Sequence, residues 1–252
     1  MINPYFTKSK VINKELIKSI DSNEPTLAVI TLKLIEPDLK PFRPGQFCSI
    51  RVAEGFFRAY SIASDYKNFS EYKFLVSIGH EGVGANYFRN IKIGDEVYFL
   101  GPNGHFFIKS PVAENIVFCA TGTGIAPFIP MIEFLVDNKC DSKIALIHGM
   151  KHENNLNYYQ NIHNEFKNKC PNFVSKFYVS KPYNKSDEFI TGRVTEEIKK
   201  LDLAKHSETQ FYLCGHPDMV HEITTYLLEN GISEENIISE EFKSPGFYQK
   251  EE

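Results

Sequence analysis

The 252 residues carry a formal net charge of −4, and 42% of them are hydrophobic. That is enough chain for two domains or one large one, and enough apolar content to bury real cores. Without a dominant basic run, nucleic acid is excluded as an expected partner, and no apolar run approaches membrane-spanning length.

Residues 1–9 hold no apolar signal core, so a soluble, cytoplasmic protein is expected. The first hundred or so residues read as strands. Residues 26–32 alternate and are rich in β-formers, as are 47–52 and 72–78, and 96–100 close the set before Gly101-Pro102. Turn residues punctuate them at the intervals of an antiparallel barrel, with one short helix near 85–88. The pattern changes after Pro111. Short apolar runs at 115–120, 143–148, 173–179 and 210–214 alternate with helical spacing at 127–136, 158–170, 195–201 and 217–230. Strands alternating with helices imply a doubly wound parallel sheet, with a boundary near 108–112.

Three segments carry chemistry. Arg58-Ala59-Tyr60-Ser61-Ile62-Ala63-Ser64 sets a cation, a ring and hydroxyls in one short stretch. Strand alternation puts Arg58 and Tyr60 on one face, with Ser61 opposite unless the chain bends. A guanidinium binds phosphate and a tyrosine face binds a flat ring, the two needs of a flavin nucleotide; the plainer reading is an edge strand with a surface Arg. Gly82-Val83-Gly84-Ala85-Asn86 is a glycine-bearing turn opening a helix, which offers free N–H groups to an anion or is simply a turn and cap. Thr121-Gly122-Thr123-Gly124-Ile125-Ala126-Pro127 lies between a predicted strand and helix, where glycine lets a pyrophosphate approach the backbone. The five cysteines (48, 119, 140, 170 and 214) form no C-x-x-C, which argues against zinc and iron–sulfur ligation and for reduced thiols. His148, His152 and His163 form no H-E-x-x-H pair.

The first and last of these segments, with Pro44-Gly45-Gln46-Phe47, Gly101-Pro102-Asn103-Gly104 and Cys214-Gly215-His216-Pro217-Asp218-Met219, occur in one order along most of the chain. In that order they resemble the ferredoxin–NADP reductase superfamily, and Arg-Ala-Tyr-Ser-Ile-Ala-Ser is similar to the bacterial reductases for ferredoxin or flavodoxin. The resemblance implies an FAD-binding antiparallel β-barrel over 1–110 and an NADP-binding doubly wound α/β domain over 111–252, with the site in the cleft where the cofactor rings meet. It assigns Arg58 to the flavin phosphates, Tyr60 to stacking on the isoalloxazine, and Ser61 to a hydrogen bond near flavin N5, with Ala59 between. It adds Val76, Ser77 and Ile78 to the FAD-binding set, and Gly82, Gly84, Ala85 and Asn86 as a second phosphate contact. Where the family usually has Ser or Thr, this chain has Ala85, which leaves backbone donors alone there.

For the nicotinamide nucleotide the resemblance implies Thr121, Gly122, Thr123 and Gly124. Ser180, Lys181 and Arg193 are its candidates for the 2′-phosphate, and Lys151 is a further cation. Lys181 replaces a family Arg and supplies charge without the planar fork; two solvated surface cations are the alternative. Cys214 and Gly215 fall beside the nicotinamide, and Phe242 covers the second flavin face. Glu240 matches an acid near the redox centre, against the ordinary expectation of a surface acid. Tyr248 is a candidate for adenine. Ser61, Cys214 and Glu240 form the catalytic set. The implied activity is electron transfer between NADP(H) and ferredoxin or flavodoxin through FAD, in a monomer with transient partners. Free-flavin reductases tend to have Pro at the position of Ala59. A reductase component of an oxygenase remains an alternative, as does a non-catalytic electron-transfer subunit; the dihydroorotate dehydrogenase subunit carries a C-terminal cysteine cluster that this chain lacks.

Overall fold

The computed structural model describes residues 6–242; Tyr248 lies outside them. Six strands form the first sheet: β1 (Thr7–Lys18), β2 (Pro25–Glu36), β3 (Phe47–Ala53), β4 (Phe56–Ser61), β5 (Glu71–Ser77) and β6 (Glu96–Asn103). They are ordered β4-β3-β6-β1-β2-β5, with every pairing antiparallel. A bridge between Ile62, just past β4, and Phe74 on β5 joins the two outer strands into a barrel. Inward positions follow the period of two: Ala28, Ile30, Leu32 and Leu34 of β2 are buried with Phe74, Val97 and Phe99. Helix α1 (Val83–Asn90) packs on β3 and β5 through the fully buried Phe88.

The second sheet is parallel throughout: β7 (Asn115–Thr121), β8 (Lys143–Met150), β9 (Phe173–Val179), β10 (Ile190–Thr191), β11 (Gln210–Gly215) and β12 (Ile237–Glu241). Its order is β10-β9-β8-β7-β11-β12. The helices are α2 (Phe128–Asp137), α3 (Leu156–Lys169), α4 (Val194–Ile198) and α5 (Pro217–Glu229). The order reverses at β7, which has β8 on one side and β11 on the other. In open α/β sheets ligands bind at such a reversal, outside the carboxyl ends of the strands.

The chain clusters into two compact units. The first holds the barrel strands and α1 with residues 126–140 and 153–171, where α2 packs on α3. The second holds 109–125, 141–152 and the chain from Asn172, and buries Val117, Cys119, Ile147, Phe211, Leu213, Val220 and Ile223 together. Among the described residues, no helix is long and apolar enough to cross a membrane.

Candidate functional site

In the first unit, antiparallel pairing sets Arg58 opposite Ile50 and Tyr60 opposite Cys48, so both share the face of two buried core residues. Tyr60 packs edge-on against Phe88 of α1, with ring centroids 4.9 Å apart. Burial pushes its phenol well above the ordinary tyrosine range, and the Arg58 charge offsets part of this. The first turn of α1 comes against the same pair. A Cβ on Gly84 would lie 2.3 Å from Tyr60 Oη and 3.6 Å from Arg58 Cγ, so only glycine permits this approach. Gly82, at φ 154°, turns the chain into the helix. Asn86 N–H donates to Gly82 O, while the preceding N–H groups have no intrahelical carbonyl to reach. The Arg58 stem, the Tyr60 hydroxyl and the first turn of α1 therefore meet, while Arg58 Nη1 donates to Phe57 O at 2.7 Å; a guanidinium and free helix N–H groups are the donor types that suit a flavin phosphate.

Ser61 is buried, 5% exposed, and Ala59 points to solvent. Val76 and Ile78 face the barrel core, so only their backbone is on offer to a ligand, while Ser77 between them is exposed. Ala85 is buried and Asn86 exposed. Two cations absent from the sequence reading hold this half together. Arg89 Nη1 donates to the carbonyls of Ile78 (2.9 Å) and His80 (3.1 Å), securing the loop before α1. Lys14 Nζ donates to Arg89 O and Ile91 O, both at 2.8 Å, at the other end of the helix. Only their charge and their spacing from the loop hinted at this.

In the second unit the turns after β7 and β11 interlock. A Cβ on Gly124 would lie 2.3 Å from the Cys214 carbonyl, and one on Gly215 (φ 136°) 2.2 Å from Thr121 Oγ1. Thr121 Oγ1 accepts from His216 N–H at 2.8 Å. Gly122–Ile125 form a 3-10 turn before α2 begins at Phe128, so Thr123 and Gly124 sit in that turn rather than on the first turn of the α-helix. Cys214 is fully buried; burial, and then Glu240, push its thiol well above the ordinary cysteine range, so it packs as a neutral group. Glu240 pairs in register with Cys214 across β11 and β12. It is no ordinary surface acid. Its Oε2 is buried without a hydrogen-bond partner among the described residues, and burial pushes its carboxyl up to about 7. Phe242 N–H donates to Gly215 O at 2.8 Å, which ties the end of β12 to the same turn.

The predicted cations gather at the ends of β8, β9 and β10. Ser180 N–H donates to Met150 O (3.0 Å), Lys181 N–H to Lys151 O (2.8 Å), and Gly192 N–H to Val179 O (3.0 Å). Lys151, Lys181 and Arg193 are all exposed, and none makes an ion pair among the described residues. Beside them His152 donates to Lys181 O (2.6 Å), and its ring lies parallel to Tyr183 at 4.4 Å. The site thus has a basic, aromatic corner.

Comparison with known proteins finds two family models in succession along the chain. The oxidoreductase FAD-binding domain model matches residues 16–108 and the oxidoreductase NAD-binding domain model residues 118–225. The chain is 30% identical over 222 residues to the toluate 1,2-dioxygenase electron transfer component of Pseudomonas putida, covering 87% of this chain and 64% of that one. It is 26% identical over 212 residues to the flavodoxin/ferredoxin–NADP reductase of Buchnera aphidicola, covering 78% and 83%. The chain spans 64% of the toluate and 58% of the anthranilate 1,2-dioxygenase electron transfer component, less than two thirds of either. Its fold matches a ferredoxin NADP+ reductase from Neisseria gonorrhoeae, solved with bound FAD and NADP, at TM-score 0.77 and 21% identity, over 95% of this chain and 99% of that one.

Proposed function

Because the chain belongs to the ferredoxin–NADP reductase superfamily of oxidoreductases, we propose that it passes electrons between NADPH and an external one-electron carrier, ferredoxin or flavodoxin, by way of FAD. The observation that carries the reading is the close approach of Gly84, in the first turn of α1, to Tyr60 Oη and Arg58 Cγ, which leaves no room for a Cβ and sets the helix N-terminus beside both side chains. Functionally, 1–110 would serve the flavin and 111–252 the nicotinamide nucleotide. Bound flavin supplies what no side chain here can, accepting a hydride from reduced nicotinamide and giving up electrons singly.

The residues bind and orient. Arg58 and the first N–H groups of α1 would neutralise the flavin phosphates, and Tyr60 would stack on the ring. Ser61 offers a hydroxyl at its edge. Thr121 to Gly124 take the nucleotide pyrophosphate, with Gly215 leaving room and Cys214 giving a neutral, compact wall. Glu240 holds a proton on a buried oxygen near neutral pH. Lys181 and Arg193, with Ser180 and Lys151, favour a 2′-phosphate and therefore NADPH over NADH.

A second reading is a reductase component of an oxygenase, favoured by the 30% identity to a dioxygenase electron transfer component. Two assays separate the readings. With an artificial acceptor, kcat/KM is expected to favour NADPH over NADH. Cytochrome c reduction is expected to depend on added ferredoxin or flavodoxin. A clear NADH preference with no response to either carrier would favour the oxygenase role.

A further inference from the structure

His148 is fully buried in β8, beside Ala120 of β7 and Phe177 of β9. Its Nε2 lies 2.8 Å from the carbonyl oxygen of Gly122, the first residue of the turn assigned above to the nucleotide. A carbonyl can only accept, so Nε2 carries the hydrogen. Burial lowers the ring to about 4, which keeps it neutral across the working range. Gly122 sits at φ 53°, and a Cβ there would meet nothing within 4 Å. Packing on that side does not hold the turn, whereas the hydrogen bond grips its carbonyl from within the sheet.

The peptide unit carries that grip to the ligand side. A trans peptide is planar, so the N–H of Thr123 points opposite to the carbonyl of Gly122. With the carbonyl held toward a buried ring, the Thr123 N–H is turned away from the sheet. We infer that His148 is a positioning residue for the nicotinamide nucleotide: its hydrogen bond to Gly122 O sets the direction of the Thr123 N–H that meets the pyrophosphate. The inference rests on the reading that residues 121–124 hold that nucleotide.

The test uses the flavin-loaded protein with His148→Phe and His148→Gln, the second of which keeps an N–H donor. Titration with NADP+ gives Kd, and steady-state turnover of NADPH with ferricyanide gives KM and kcat. For His148→Phe, Kd and KM are expected to rise about tenfold, the order expected for the loss of one part-buried hydrogen bond. Flavin content and kcat should change less than about twofold, and His148→Gln should recover most of the affinity. Wild-type affinity in His148→Phe, with only a lower melting temperature, would reduce the residue to packing and overturn the inference. Equal weakening in both variants would overturn the donor role. Wild-type protein that binds neither NADP+ nor NAD+ would overturn the underlying reading before any substitution is made.

Discussion

Glu240 stands in an environment at odds with its chemistry. Its unfolded carboxyl loses a proton near the ordinary glutamate value, while the folded one, raised to about 7 by burial, keeps it. Between roughly pH 4.5 and 7 the native state therefore binds more protons than the unfolded state, and stability falls as pH rises through that window. Glu240→Gln removes the effect. In denaturant unfolding the variant's stability should match wild type at pH 4 and exceed it at pH 8, by up to about 3 kcal/mol. Equal differences at both pH values would place the carboxyl in an ordinary setting. The burial was not legible in the sequence, because charged residues are seldom buried and a Glu reads as solvated surface; only the register of β12 beside β11 puts it against Cys214.

Helix α1 is the element on which the flavin half turns. Gly82 starts it, Lys14 and Arg89 tie down its two ends, and Phe88 anchors its buried face. Gly84→Ala inserts a methyl where Tyr60 Oη stands 2.3 Å away, so the helix or the ring must move. We expect the variant to purify folded but with substantially less flavin, measured as bound flavin per protein. Full flavin content would separate this contact from the cofactor. The helix was readable from its glycine-bearing entry. Strand β1 was not, since its inward positions include Thr7 and Ser9, and Ser9 satisfies its hydroxyl by donating to Val97 O. The two-residue β10 has no periodicity to read.

Across the whole molecule, the parts written as local motifs were legible and those formed by long-range pairing were not. Gly84, Gly124 and Gly215 announce themselves because tight backbone approach restricts which residues can stand there. His148 stayed hidden because a histidine in an apolar run looks like core, and its partner lies 26 residues away, on a different strand's turn. Residues 126–140 and 153–171 cluster with the first unit, although they follow it in sequence, a grouping that no local pattern encodes. If one chain serves both a flavin and a nicotinamide nucleotide, anaerobic rapid mixing of the flavin-loaded protein with NADPH should bleach the flavin's long-wavelength absorbance quickly, and faster than NADH does. Flavin that stays bound and oxidised with either nucleotide would overturn that reading.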